Sequence, residues 1–181
     1  VKRFGPHYLV PEGGSNALAL KGCVEMVQEF KDNYDYVCLA CGTGGTIAGI
    51  IAGLQNKGKI LGFPVLKGGS FLNRKIEGLI RQYKDSHYSN WQLMTDYHFG
   101  GYARYNWDLI QFINRFYTNH KIPLDPVYTG KMMFGVFDQI KKGYFRKGSK
   151  ILAIHTGGLQ GIRGFNDRFG NLIRFDPRES G

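Results

Sequence analysis

Cysteine is scarce in this chain, with three thiols among 181 residues, and an odd, sparse set excludes the disulfide-stapled scaffold of a small secreted domain. Cys38-Leu39-Ala40-Cys41 has C-x-x-C spacing. Residues i and i+3 of a strand face opposite sides, and no second pair follows, so a zinc or redox site is the minor reading. Burial as small hydrophobes accounts for Cys23 and Cys38. Histidines at metal-ligand spacing are also missing, which leaves His155 as a core or supporting residue at a strand end and predicts no metal. No stretch approaches the roughly 18 apolar residues of a membrane helix. No charged, apolar and small-residue leader opens the chain, so a cytoplasmic protein without a membrane partner is expected. Internal repeats and low-complexity segments are absent too.

Acidic residues are few: 14 Asp and Glu stand against 24 Lys and Arg, a net charge of +10. Such a balance raises nucleic-acid binding or attraction of an anionic ligand. The bases crowd the last third, at Lys141-Lys142, Arg146-Lys147, Lys150, Arg163, Arg168, Arg174 and Arg178, scattered among glycines and aromatics. They form no zinc-finger, RNP or recognition-helix pattern. Solubility and steering explain them, and no nucleic-acid partner is expected.

What is present is alternation. The 43% hydrophobic content suits a single α/β domain of about 100–200 residues. A short strand is predicted at Tyr8 to Val10. Ser15 or Asn16 caps a helix running to about Phe30, with Leu20, Val24, Val27 and Phe30 on one face. Strand Tyr36 to Ala40, a glycine loop, a helix to Leu54 and strand Lys59 to Pro64 follow. Helix Phe71 to Gln82, strand Trp91 to Tyr97, a loop from Gly100 to Asn106, helices Trp107 to Thr118 and Gly130 to Lys142, and strand Lys150 to Ile154 complete the pattern. The fold class predicted is α/β, an open, mostly parallel twisted sheet with helices on both faces. Residues 1–175 form the domain and 176–181 a polar tail.

Gly42-Thr43-Gly44-Gly45-Thr46 carries the chemistry. It joins an apolar strand to a helix start, where glycines admit an anion and unpaired amides with the positive helix end face it, so a phosphate fits. A strand-to-helix turn needs glycine for steric reasons as well. The loop lacks the Lys-Ser or Lys-Thr pair of a P-loop, and Ile47 stands where the dinucleotide pattern requires a third glycine, so ATP and NAD are disfavoured. Gly42 and Gly157 both follow predicted strands. That places two loops on the carboxyl edge of the sheet, meeting at one crevice.

Four ordered segments carry a resemblance: Tyr8 to Asn16, Ala40 to Gly49, Leu124-Asp125-Pro126-Val127-Tyr128-Thr129-Gly130-Lys131, and Ile151 to Gly158. Together they resemble the 1-aminocyclopropane-1-carboxylate deaminase and D-cysteine desulfhydrase family of pyridoxal-phosphate enzymes, from about Tyr8 to Gly164. The resemblance implies the large domain of a fold type II (tryptophan-synthase-β-like) enzyme. It implies pyridoxal 5′-phosphate as cofactor, bound by Gly42, Thr43, Gly44, Gly45, Thr46, Thr129, Thr156 and Gly157, with the Thr156 hydroxyl facing the pyridine nitrogen. Tyr128 and Tyr102 are implied as catalytic, able to donate or accept protons if their pKa values are lowered. The partners implied are a small amino-acid substrate and, for the whole protein, a second copy in a homodimer. Family members are longer, and their cofactor-bonding lysine stands in an N-terminal Asn-Lys context before a small second domain. This chain opens at Val1, inside the later part of that pattern, and reads as the C-terminal part of a longer protein, inactive alone. Asn73-Arg74-Lys75 imitates the lysine motif but lies in an amphipathic run, where Lys75 reads as a solvated helix residue. Deaminases of the family carry glutamate where Thr129 follows Tyr128. The departure favours β-elimination from D-cysteine, to pyruvate, ammonia and sulfide. Ring-opening deamination and a non-catalytic module for a phosphorylated ligand or nucleic acid are the alternatives. Ala103-Arg104-Tyr105-Asn106 departs from the family's Gly-x-Pro-Asn loop, which bears on substrate preference.

Overall fold

A computed structural model describes residues 5–7 and 10–175. Apart from Val10, the expected strand at Tyr8 to Val10 lies outside the described residues, as does the tail 176–181. Four strands, β1 (Tyr36–Cys41), β2 (Lys59–Pro64), β3 (Trp91–Leu93) and β4 (Ile151–Ala153), pair in parallel in the order β3-β2-β1-β4. The unbroken apolar reading of β1 has a direct cause: helices cover both faces. Val37, Leu39 and Cys41 enter a core shared with α1 (Ala17–Gln28), α2 (Gly45–Leu54) and α3 (Leu72–Tyr83). Cys38 turns the other way, toward Met132 and Val136 of α5 (Thr129–Lys141). Cys38 and Cys41 therefore sit in separate cores, and burial pushes each thiol up to about 12. Among the described residues no three His, Cys, Asp or Glu side chains gather to hold a metal ion, and no helix is long and apolar enough to cross a membrane.

The entry into α1 is fixed by Asn16, whose side chain accepts from the Ala19 amide at 2.9 Å and satisfies one of the orphan donors of the first turn. α1 then lies very close to α2. A Cβ on Gly49 would collide with Cys23 Cβ and come within 3.0 Å of the Leu20 carbonyl oxygen, and one on Gly53 would meet Val27 Cγ2 at 2.8 Å. Backbone cannot yield as a flexible side chain can. We expect Gly49→Ala to destabilise the domain by about 1–3 kcal/mol through overpacking, more than the ~1 kcal/mol that alanine returns in helix propensity. A lowered denaturant midpoint at unchanged slope would show it.

Two elements differ from the sequence reading. The strand expected from Trp91 to Tyr97 pairs only through Leu93, and Thr95–Tyr97 is a 3-10 turn. β2 ends at Pro64, which has no N–H with which to extend the ladder. A helix that the sequence reading omitted, α6 (Gln160–Phe169), follows β4. Its glycines lower intrinsic propensity. It forms because Ile162 and Phe165 are buried against the apolar face of α4 (Trp107–His120), with Phe165 and Phe169 rings about 5 Å from Tyr105.

Candidate active site

β1 has β2 on one side and β4 on the other, so the chain leaves β1 one way and returns later on the opposite flank. Such a switch in strand order opens a crevice beyond the carboxyl ends of the two strands. Here the pairing brings the loops together: the Ile154 amide donates to the Cys38 carbonyl at 2.9 Å, which sets the turn after β4 beside the turn after β1. Gly42, Thr43, Gly44, Gly45, Thr46, Tyr128 and Thr156 line one cavity of about 200 Å³. Gly13, Ala40, Cys41 and Ile47 complete its wall.

One end of this cavity is a helix N-terminus. Gly44 caps α2 at φ 90°, a conformation that suits glycine. The helical ladder begins with the Ala48 amide on the Gly44 carbonyl at 3.1 Å, so the amides of Gly45, Thr46 and Ile47 precede it without an i−4 partner. The hydroxyls are more committed. Thr43 Oγ1 lies 2.7 Å from Ser15 Oγ, and the Thr46 side chain hydrogen-bonds the Cys23 thiol. An anion in the cavity is therefore met chiefly by backbone N–H groups. The sequence reading missed Gly13 as part of the wall. It has φ 67°, and a Cβ there would stand 2.5 Å from Thr43 Oγ1. The Gly13-Gly14 pair just before a helix cap was the available signal.

At the mouth stands Tyr128, 3.3 Å from where a Cβ on Gly42 would be. Its preceding turn is built on Asp125, a buried carboxylate that accepts from the Val127 amide at 2.8 Å and the Tyr128 amide at 2.7 Å through Oδ1. Its Oδ2 accepts from the Thr129 amide at 2.8 Å and the Thr129 hydroxyl at 2.6 Å. Thr129, expected at the cofactor, takes part in this turn. Its hydroxyl proton goes to Asp125, its oxygen accepts from the Asp125 amide at 2.9 Å, and it is absent from the cavity wall. The Tyr128 hydroxyl is also not lowered. Burial, the hydrogen bond with Tyr102 and the nearby charges of Asp125 and Glu12 push it up to about 12, so Tyr128 keeps its proton.

Tyr102 is 57% exposed and meets Tyr128 edge to face, with ring centroids 6.1 Å apart. With Tyr128, Gly42, Thr43, Phe71 and Lys75 it lines an adjoining cavity of about 140 Å³. Lys75 is an exposed residue of α3 at that rim. Another lysine, named in the sequence reading only as the end of the Leu124 to Lys131 segment, was given no role there. Lys131, 1% exposed, donates from Nζ to the carbonyls of His98 at 2.9 Å and Gly101 at 2.7 Å. Burial lowers its pKa to about 8, against the opposing pull of Asp125.

The turn after β4 is oriented by His155. Its Nδ1 accepts from the Gly157 amide at 3.1 Å, which leaves the proton on Nε2 to go to the Pro123 carbonyl at 2.9 Å. Thr156, between them, lines the cavity, whereas Gly157 does not.

Residues 2–157 match the family model described as pyridoxal-phosphate dependent enzyme. The chain belongs to that family. It is 32% identical, across 92% of its length, to a Pyrococcus horikoshii relative bearing the 1-aminocyclopropane-1-carboxylate deaminase name. It is also 32% identical, across 96% of its length, to the mitochondrial bifunctional D-cysteine desulfhydrase/1-aminocyclopropane-1-carboxylate deaminase of Arabidopsis thaliana. The crystal structure of a 1-aminocyclopropane-1-carboxylate deaminase homologue superposes with a TM-score of 0.83 at 33% identity, over 95% of this chain and 56% of that one. The expected large-domain fold of the pyridoxal-phosphate enzymes is therefore borne out. The chain spans about half the length of the curated relatives it matches, 54% of the Pyrococcus protein and 48% of the Arabidopsis protein.

The residues present fit the family's cofactor. A phosphate ester calls for unpaired N–H donors on a surface without side chains, and the glycine turn with the α2 N-terminus supplies them. A pyridine ring calls for a polar contact at its far end, and Thr156 lines the same cavity.

Proposed function

We propose that this chain is the cofactor-binding part of a lyase or deaminase acting on a small amino acid, with β-elimination from a D-cysteine-like substrate as its reaction. The observation that carries the proposal is the single cavity joining the Gly42–Thr46 loop, Thr156 and Tyr128. In this reading the loop and the first amides of α2 hold the phosphate ester, and Thr156 holds the ring nitrogen. Bound pyridoxal phosphate supplies an electron sink for the bond to the substrate α-carbon. Thr156 is a neutral partner, so it brings no carboxylate charge to keep that nitrogen protonated. Tyr128 and Tyr102 are the proposed proton-handling residues. In the elimination the α-proton goes to a base that the rest of the protein would supply, and a Cα–Cβ double bond forms as the Cβ–S bond breaks. Tyr128, which retains its proton, is assigned the part of the acid that gives it to the departing thiolate. Water then replaces the nitrogen, leaving pyruvate, ammonia and sulfide. Thr129 stands where the resemblance leads one to expect glutamate in a ring-opening deaminase, which supports elimination. The remaining parts of the proposal are that the rest of the protein supplies the cofactor-bonding lysine, since Lys131 is committed to two carbonyls, and that the whole protein is a homodimer.

Two measurements test this. Pyridoxine 5′-phosphate at about 100 times its dissociation constant should raise the thermal midpoint of the chain by roughly 5–10 °C, while pyridoxine without phosphate should not. An equal response to both would remove the phosphate assignment. The whole protein given D-cysteine should release sulfide and pyruvate in equal amounts. Ammonia and a keto acid from 1-aminocyclopropane-1-carboxylate, with no sulfide from D-cysteine, would replace elimination by ring opening. Turnover of neither would return the chain to a phosphorylated-ligand module.

A further inference from the structure

The loop that carries Tyr102 runs against backbone preference. Phe99 and Ala103 have φ of 52° and 53°, conformations that side-chain-bearing residues rarely adopt, and Gly100 and Gly101 are also positive at 94° and 124°. Such a run persists only when its surroundings over-determine it. Internal bonds give part of that restraint: the Gly101 amide donates to the His98 carbonyl at 3.0 Å, the Arg104 amide to the Gly101 carbonyl at 3.1 Å, and the Gly100 amide to His98 Nδ1 at 2.8 Å. None of these ties the loop to the rest of the domain. Lys131 does. Its stem is buried in the first turn of α5, three residues after Tyr128, and its ammonium grips the two carbonyls at either end of the Phe99–Gly101 run.

A buried lysine outside any ion pair is costly to keep, since its charge loses water and gains two carbonyl dipoles and the more distant attraction of Asp125. Its position suggests what it is kept for. The same helical turn starts at Tyr128 and ends on the loop whose next residue is Tyr102, and the two rings touch across the cavity rim. We infer that Lys131 is a positioning residue that locks the Tyr102 loop against the start of α5, so that Tyr102 and Tyr128 present their hydroxyls to the substrate as a fixed pair. That the pair serves the substrate rests on the proposed function. That Lys131 sets the loop does not.

Amide hydrogen exchange on the chain itself tests the clamp without any cofactor. In Lys131→Met the amides of Gly101 and Arg104 should exchange at least tenfold faster, while those of β1 and α2 keep their protection. Unchanged exchange in the loop, or a uniform rise across the whole domain, overturns the inference. Should the methionine variant fail to fold, Lys131→Gln, neutral and one atom shorter, takes the same measurement with the same two outcomes. In the whole protein, Lys131→Met should lower kcat at least tenfold and leave the affinity for pyridoxine 5′-phosphate within twofold. If loop exchange rises but turnover is untouched, the clamp stands, and the assignment of Tyr102 and Tyr128 to the substrate falls instead.

Discussion

Tyr128→Phe is expected to lower turnover by the whole protein about 10²–10⁴-fold, the range removed with a positioned proton donor. The change takes one oxygen and leaves the packing. A phenylalanine ring keeps the contact over Gly42 and the edge-to-face pair with Tyr102. The thermal midpoint and the response to pyridoxine 5′-phosphate should therefore stay near the wild-type values, which separates lost chemistry from lost structure. The pH dependence has a definite sign. With its hydroxyl raised from 10 to about 12, Tyr128 stays protonated across the working range and should impose no alkaline limb on kcat/KM below about pH 10. Between pH 10 and 12 the unfolded chain releases this proton and the folded chain holds it. The stability Tyr128 contributes is thus present below pH 10 and lost as pH climbs toward 12. A loss of turnover below tenfold in the phenylalanine variant would remove Tyr128 as the acid.

The central part of this site could be read from local sequence because it depends on local rules. An apolar run, a glycine turn and a helix start occupy consecutive residues from Tyr36 to Leu54, and their order dictates a strand, a tight turn and exposed amides. The meeting with Thr156 was legible one step further on, since both loops follow strands of one parallel sheet. The bonds that Thr129 makes were not legible in the same way. Its partner is decided by a buried carboxylate four residues away, and resemblance assigns a position without saying which neighbour its hydroxyl faces. Lys131 was overlooked because charge in a sequence ordinarily means solvent. Only the carbonyls of a loop some thirty residues distant explain its burial. α6 went unread because Gly161 and Gly164 argue locally against a helix, while the aromatic layer around Tyr105 that stabilises it is non-local.

Asp125→Ala is expected to be the most destabilising single change near the site. The carboxylate, 2% exposed, is the common acceptor for three amides and one hydroxyl. Its removal leaves those donors without partners at about 1–3 kcal/mol each, partly relieved where water enters. A net loss of about 3–5 kcal/mol follows, a drop of roughly 10 °C or more in thermal midpoint for a domain of this size. The damage should also reach the cavity, because the Tyr128 amide hangs on Oδ1 at 2.7 Å. Asp125→Asn separates these contributions. Its amide oxygen can keep the two bonds of Oδ1, while the NH₂ group faces the Thr129 amide as donor against donor and the Thr129 hydroxyl must turn to accept from it. It should therefore cost less than alanine and hold Tyr128 in place, while Thr129→Val should cost stability of its own by leaving the Asp125 amide without its 2.9 Å acceptor. A double-mutant cycle on Asp125 and Thr129 reads the coupling directly. Strict additivity would mean that the 2.6 Å contact between them does not hold this turn together.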